Sequence, residues 1–397
     1  IRRAEKGNRE EGICGRRYIW GTIRLTTIMS DIVLLIGIFL CAGALSFGCS
    51  HAVRRFAVRT RIIDKPDSER KLQKAPVPMM GGLALFFTIL LIIVAYAFIA
   101  PEYFPSILDS HVTVKNLIGL LLGGGVVVIG GIADERWSLK PHQQLVAPIL
   151  AIAAVIAAGV GVQHVSNPFA KGVIDLTTWN ILLFWWDGMP RYFTVFADIL
   201  TFVWLMGMMY TTKLLDGLDG LVSGVTVIGA GIIAVVSTIL FINEPTALLA
   251  TITAGAFAGF LLLNLPPARL YLGESGSLLA GYMLGVLSIL SGAKFATALL
   301  IVGIPILDAA RVIVERIRSG QSPFSGDRRH LHFRLQHLGF SPRQALAFYL
   351  ILAVGFGCTA LILQRFEKFI AIVILLLFAT VFFFAIKRKE DRQSLTR

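Results

Sequence analysis

The chain reads as an all-α, polytopic integral membrane protein with ten or eleven transmembrane helices, and three observations predict it. Of its 397 residues, 56% are apolar and only 15% charged, against roughly 25% charged in ordinary soluble domains. The mean hydropathy is +0.75. Runs of about 18 to 22 mostly apolar residues, each able to cross a hydrocarbon core of roughly 30 Å as a helix, recur along the sequence.

Those runs begin near residues 31, 81, 117, 145, 194, 221, 247, 277, 295, 343 and 368. No internal repeat or low-complexity segment interrupts them, so residues 29–390 read as one membrane domain followed by a short tail, 391–397. Residues 1–28 carry seven basic residues, and "MSDIVLLIGIFL" from Met29 reads like a natural opening; 1–28 is therefore taken as a non-native or disordered extension. Cys14, Cys41, Cys49 and Cys358 have no metal-ligand spacing and read as packing residues. The gap 163–193, which contains "TTWNILLFWWDGMPRYF", is expected to be a loop carrying interfacial aromatic anchors.

The net charge of +13 is a statement about topology here, not about nucleic acid. From residue 51 onward, alternate gaps between the runs hold 23 Lys and Arg, and the intervening gaps hold 6. The positive-inside rule puts the basic set, and the C-terminus with it, in the cytoplasm.

The unusual polar residues fall on that same side, in five loops: "DKPDSERKLQKAPVPMMGG" (64–82), "GGIADERWSLKP" (130–141), "YTTKLLDGLDGLVSG" (210–224), "NLPPARLYLGESGSLLAG" (264–281) and "DRRHLHFRLQHLGFSP" (327–342). On spacing alone, Asp134 and Glu135 before Arg136 fit a solvated helix end as well as a functional pair. Asp216 and Asp219 are three apart with glycines between, so they share a face if helical. Such close like charges raise one another's pKa unless a cation or donor lies between them. Glu274, at a helix start among small residues, suits a hard cation beside phosphate. His330 and His332, set among Arg328, Arg329 and Arg334, suit phosphate or a developing charge. Acids for a metal, bases for phosphate and a lipid face are the ingredients of phosphoryl transfer at a membrane. Oxygen-only ligands favour Mg²⁺, or Mn²⁺, over zinc. "DAARVIVERIRSG" (308–320) reads equally well as a plain Asp308–Arg311 ion pair, and both residues are left out of the site.

In order and spacing, these loops resemble the polyprenyl-phosphate N-acetylhexosamine-1-phosphate transferases, the MraY-like and WecA-like membrane enzymes. "DGLDGL", "PPARLYLGESGS" and "DRRHLHFRL" together carry the resemblance, over about residues 31–350, and the single "HLHFR" run is closer to the WecA-like branch. The resemblance implies transfer of a sugar 1-phosphate from a UDP-sugar to polyprenyl (undecaprenyl) phosphate with release of UMP. It implies a bacterial inner-membrane enzyme with a cytoplasmic active site, starting a cell-envelope glycan; a homodimer is left open. By resemblance, Asp134 and Glu135 occupy the Asp-Asp pair that orients or deprotonates the lipid phosphate. Asp216 and Asp219 match the DGLDG loop. Glu274, with help from Asp216, matches the magnesium acid, and His330 and His332 hold the nucleotide sugar. Arg70 and Lys71, followed by Gly81-Gly82, match the basic and glycine pattern of the first loop.

The departures from the pattern are specific. Glutamate replaces aspartate at 135 and 274; Gln73 replaces a frequent histidine and Gln144 the lysine that follows the acid pair. Tyr210 and Lys213 stand where two asparagines are usual, and a lysine at 213 would contact a diphosphate directly as a point charge. Two other readings are carried along: a catalytically degenerate homologue serving as a scaffold, and an ion-coupled transporter in which the acids bind the coupled ion.

Overall fold

A computed structural model describes residues 2–64, 76–99, 112–167, 172–186, 189–239, 243–292, 294–321, 330–363 and 365–395. The long helices are α1 (Arg2–Thr60), α2 (Gly81–Ile99), α3 (Val114–Trp137), α6 (Val195–Leu215), α7 (Leu221–Ile239), α8 (Glu244–Asn264), α9 (Gly273–Leu290), α10 (Lys294–Arg318), α12 (Pro342–Ile362) and α13 (Arg365–Leu395). Each contains a segment long and apolar enough to cross a membrane, ten in all among the described residues. Shorter helices are α4 (Pro141–Gln144), α5 (Val146–Ala157) and α11 (Leu331–His337).

The eleventh apolar run of the sequence is the α4–α5 segment, Pro141–Ala157, a shorter apolar helix. It runs antiparallel to α3. Gly119, Gly123 and Gly130 of α3 face Ala158, Ala151 and Ala147 in turn, and Asn116 Nδ2 at the start of α3 donates to the carbonyl of Ala158 at 2.8 Å. Small residues on both sides let the two backbones approach, the usual device of helix pairs in lipid.

Local chemistry sets the helix ends. Thr113 accepts from the N–H of Asn116 and α3 opens with a capping box, while Ser341 caps α12 with Pro342 in its first turn. Helices α8 and α9 form the centre, with 83% of their most apolar windows buried, against 28% for α13 and 11% for α1. The outer helices therefore turn large apolar side chains outward, as at Val33, Leu40, Ile362 and Phe384, the arrangement that a hydrocarbon solvent permits.

Two expectations are corrected. The segment expected as a plain loop folds into two hairpins: β3 (His164–Ser166) pairs with β4 (Val173–Asp175), and β5 (Asn180–Trp186) with β6 (Met189–Thr194). Its run of β-branched and aromatic residues has strand propensity that an interfacial reading overlooks. Cys41 and Cys358 are exposed free thiols on the outer faces of their helices rather than packing residues, and Cys49 is half-buried.

Three helices meet at Ser275 near the start of α9. A Cβ on Gly82 of α2 or on Gly131 of α3 would collide with the Ser275 backbone. Gly131→Val should accordingly lower stability by about 1–3 kcal/mol through overpacking, read as a lower thermal midpoint in detergent. Gly231→Ala in α7, where a Cβ meets nothing within 4 Å, should leave that midpoint unchanged or raise it.

Candidate active site

The loops that the sequence assigned to one side meet at one end of the bundle. The short ladder β1 (Ile63–Asp64) to β2 (Val77–Pro78) closes the first loop. Tyr271 N donates to the carbonyl of Pro78 at 2.9 Å, Arg136 reaches the carbonyl of Thr60 at 3.0 Å, and Arg343 Nε reaches that of Pro266 at 3.1 Å. Between these loops lies a cavity of about 1010 Å³ lined by Lys213, Asp216, Asp219, Tyr271, Glu274 and Arg343, among others.

The DGLDG loop is pinned from behind. Asn264, the last residue of α8, accepts through Oδ1 from Gly220 N (3.1 Å) and Ser223 Oγ (2.8 Å), and donates through Nδ2 to the carbonyl of Leu270 (3.1 Å). Gly220 takes φ +78°, a conformation that glycine adopts without strain. Asp219 Oδ2 accepts from Ala268 N at 2.9 Å, whereas the Asp216 carboxylate has no hydrogen bond or ion pair among the described residues. Water reaches Asp216 through the cavity, yet the surrounding protein removes most of its bulk solvation. That burial, and then the charges of Glu274, Asp219 and Glu135, hold its pKa well above the ordinary carboxylate value. Burial also raises Asp219, with the Ala268 N–H opposing.

Beside this loop, Glu135 Oε1 accepts from Ser275 N at 3.0 Å and from Ser275 Oγ at 2.7 Å, while its Oε2 is buried without a partner among the described residues. Gly273, at φ +71°, leaves room for that carboxylate, since a Cβ there would strike Glu135 Oε1. Asp134 Oδ1 accepts from Leu139 N at 2.8 Å and from Gln144 Nε2 at 3.2 Å. Lys213 reaches into the middle of these groups: its Nζ lies 2.9 Å from Glu274 Oε2, 2.9 Å from Gln144 Oε1 and 3.9 Å from Asp134 Oδ2. The contact with Glu274 is close but off the hydrogen-bonding direction, leaving Oε2 without an aligned donor.

The histidine loop is anchored by a residue that the sequence reading left outside the site. Asp308, fully buried in α10, meets His330 Nδ1 at 3.1 Å and accepts from Leu331 N at 3.0 Å and from Arg311 at 2.8 Å. Arg311 continues to Glu315 (2.8 Å), and Glu315 to Arg334 (3.3 Å). Arg334, expected to face phosphate, is thus engaged by an acid of the chain. His332 is fully buried, stacks on His330 with centroids 5.7 Å apart, and approaches the position of a Gly217 Cβ to 2.6 Å. Among the described residues neither of its ring nitrogens has a hydrogen-bond partner, and burial, then the neighbouring His330, pushes its pKa down to about 3. Arg70, Lys71 and Arg328 lie outside the described residues. An acid inside an otherwise apolar run, as at Asp308, was the available signal for the missed residue.

As a donor set, the pocket suits a hard dication: oxygens only, a bare carboxylate at Asp216 and an orphaned oxygen at Glu135. Among the described residues no three acid or imidazole side chains are drawn together as ligands of one ion, and Glu274 faces Lys213.

Fold and site together define a polytopic helical membrane protein that gathers acids and a lysine around one cavity at the end of its bundle, with a buried histidine pair behind the DGLDG loop. The Glycosyl transferase family 4 model matches residues 117–292. A decaprenyl-phosphate N-acetylglucosaminephosphotransferase of Mycolicibacterium smegmatis is 30% identical over 353 residues, covering 81% of this chain and 80% of that protein. The Escherichia coli undecaprenyl-phosphate alpha-N-acetylglucosaminyl 1-phosphate transferase is 28% identical, covering 92% and 93%. A probable undecaprenyl-phosphate N-acetylglucosaminyl 1-phosphate transferase of Bacillus subtilis is 27% identical, covering 79% and 80%. The chain belongs to glycosyl transferase family 4.

The buried imidazole carries a pH signature. Unfolding restores the ordinary His332 pKa of about 6.5, so the unfolded chain takes up a proton that the folded chain refuses until about pH 3. The His332 contribution to stability is complete above pH 6.5 and is lost as the pH drops toward 3, an amount on the order of a few kcal/mol. Thermal midpoints measured between pH 7 and pH 4 should fall less steeply in His332→Gln than in the wild type.

Proposed function

We propose that this chain transfers an N-acetylhexosamine 1-phosphate from a UDP-sugar to a polyprenyl phosphate, forming a polyprenyl-diphosphate sugar and releasing UMP. The observation that carries the reading is the convergence of Asp134, Glu135, Asp216, Asp219 and Glu274 from three separate segments: Asp216, Asp219 and Glu274 line a cavity large enough for a nucleotide sugar, and Glu135 and Asp134 lie next to it through Ser275 and Lys213. The relatives' names, which specify polyprenyl-phosphate acceptors and N-acetylglucosamine phosphate transfer, support the same chemistry.

A second cavity, about 320 Å³, supports the lipid half of the reaction. It is lined by apolar residues of α3 and α5, such as Ile129, Val146 and Leu150, and it ends at Asp134, Gln144 and Lys213. Ile129, Val146 and Leu150 are exposed on the outer surface, so an isoprenoid lying between these helices would bring its phosphate to Asp134. Lys213 lines both cavities, which makes it the wall between donor and acceptor.

In this mechanism an oxygen of the lipid phosphate attacks the sugar-bearing phosphorus of the donor. A new P–O bond forms, the bond from that phosphorus to the bridging oxygen breaks, and UMP departs with the bridging oxygen. Asp134, with Oδ1 committed to Leu139 and Gln144, keeps Oδ2 to orient the lipid phosphate or accept its proton, and Glu135 braces the start of α9 through Ser275. Asp216 and Glu274 would hold Mg²⁺, or Mn²⁺, which supplies Lewis-acid neutralisation of the diphosphate when bound. Asp219, tied to Ala268, fixes the loop that presents Asp216. The histidine loop meets the cavity through Phe333 and Gln336, with His330 and His332 buried behind them and His330 held by Asp308. Arg70, Lys71 and Arg328, outside the described residues, keep the phosphate-contact role that the resemblance implies. The Lys and Arg distribution supports a cytoplasmic orientation of this end, and the bacterial relatives support an inner-membrane location. Acids at helix ends suit an enzyme better than a transporter, which binds its ion near the bilayer midplane.

Purified protein supplied with radiolabelled UDP-N-acetylhexosamines, polyprenyl phosphate and Mg²⁺ should yield labelled lipid and stoichiometric UMP. Asp216→Asn should lower kcat by about 10²–10³-fold, the range for losing one electrostatic stabiliser. No labelled lipid and no UMP with any donor would overturn the reading.

A further inference from the structure

Transfer of a sugar phosphate from a nucleotide diphosphate to a lipid phosphate moves negative charge across the site. The acceptor phosphate gives up one charge when its oxygen bonds to the sugar-bearing phosphorus. The electron pair of the broken bond leaves with the bridging oxygen, so the phosphate of the departing UMP gains one charge and ends as a dianion. Total charge is conserved, but the charge on the leaving group develops in the donor cavity, away from the acceptor groove. Catalysis by positioned electrostatics gains from a cation at each end of that movement.

Among the described residues that line the larger cavity, two are cations, Lys213 and Arg343. Lys213 also lines the apolar groove and is already engaged, 2.9 Å from Glu274 Oε2 and 2.9 Å from Gln144 Oε1. Arg343 lines the larger cavity and not the groove. Among the described residues its side chain makes one hydrogen bond, from Nε to the carbonyl of Pro266 at 3.1 Å, and its two η-nitrogens stay uncommitted. It lies in the first turn of α12, directly after the cap Ser341 and Pro342, which line the same cavity. Asp219 holds the neighbouring residue of the Pro266 loop, accepting from Ala268 N at 2.9 Å. The guanidinium and the DGLDG loop are thus fastened to the three consecutive residues Pro266, Pro267 and Ala268, all of them at the cavity wall. A guanidinium held through Nε presents its η N–H groups as a fork that matches two oxygens of a phosphate. The tether removes part of the side chain's freedom before an anion arrives.

We propose that Arg343 binds the phosphate of the nucleotide monophosphate in the donor cavity and neutralises the charge that this phosphate gains as it leaves. Lys213, between the two cavities, stands on the acceptor side of the transfer, and Arg343 stands on the leaving-group side. The assignment rests on the transferase reading for its meaning in catalysis, but its test does not require turnover.

The test is calorimetric titration of detergent-purified protein, in buffer containing Mg²⁺, with UMP and separately with uridine, which lacks the phosphate. Arg343→Gln should bind UMP about 10- to 100-fold more weakly than the wild type, the range for losing a charged hydrogen-bonding partner. Its affinity for uridine should stay within about twofold of the wild type, since the nucleoside does not meet the guanidinium. Arg343→Lys, which keeps the charge and loses the fork, should bind UMP with intermediate affinity. Unchanged UMP affinity in Arg343→Gln, or an equal loss for UMP and uridine, would overturn the proposal. If Arg343→Gln fails to fold, Arg343→Lys decides by the same comparison: weaker UMP with unchanged uridine upholds the assignment, and UMP at wild-type affinity refutes it. Protein that shows this UMP pattern but makes no labelled lipid would sink the transferase reading and leave the phosphate site standing. Wild-type protein that binds no UMP would sink both.

Discussion

A carboxylate at the end of a membrane helix bundle has to be paired, hydrogen-bonded or protonated, because the surrounding protein and lipid solvate charge poorly. The arrangement of this pocket follows from that requirement. Asp219 satisfies it with the Ala268 N–H, Glu135 with the N–H and hydroxyl of Ser275, and Asp308 with His330, Arg311 and the Leu331 N–H. Lys213 answers for Glu274 and lies within reach of Asp134. Asp216 is left bare at the cavity, with its pKa raised by burial and by its acidic neighbours. A group in that condition gains most from an incoming cation.

The glycines serve the same requirement. Gly273 opens space for the Glu135 carboxylate, Gly217 for the His332 ring, and Gly82 and Gly131 for the backbone at Ser275. The start of α9 can therefore sit between α2 and α3, with one Glu135 oxygen met by the Ser275 N–H and hydroxyl rather than by a second charge. The packing of the bundle and the chemistry of the pocket are set by the same few close approaches.

Much of this was legible in the sequence because it is written in local pattern. Apolar runs and basic gaps announced the spans, and "DGLDGL", "GESGS" and "HLHFR" announced the loops that the fold brings together. What the sequence concealed depends on long-range placement. Asp308 reads as half of an i, i+3 pair with Arg311, and nothing local reveals that it also holds His330, 22 residues on. Gln144 and Lys213 look like two unrelated departures, 69 positions apart, until their side chains are found 2.9 Å from each other. The 164–194 hairpins were obscured because aromatic and β-branched residues serve both a lipid interface and a strand.

The acids, the lysine and the histidine loop are proposed to form one diphosphate site, with Lys213 as the wall between a nucleotide cavity and a lipid groove. An experimental structure with UDP-N-acetylglucosamine and Mn²⁺, located by its anomalous signal, tests this most directly. The account predicts the diphosphate in the larger cavity between Asp216, Lys213 and the His330–His332 loop, with the metal signal beside Asp216. A nucleotide bound elsewhere, or a metal signal remote from Asp216, would contradict it.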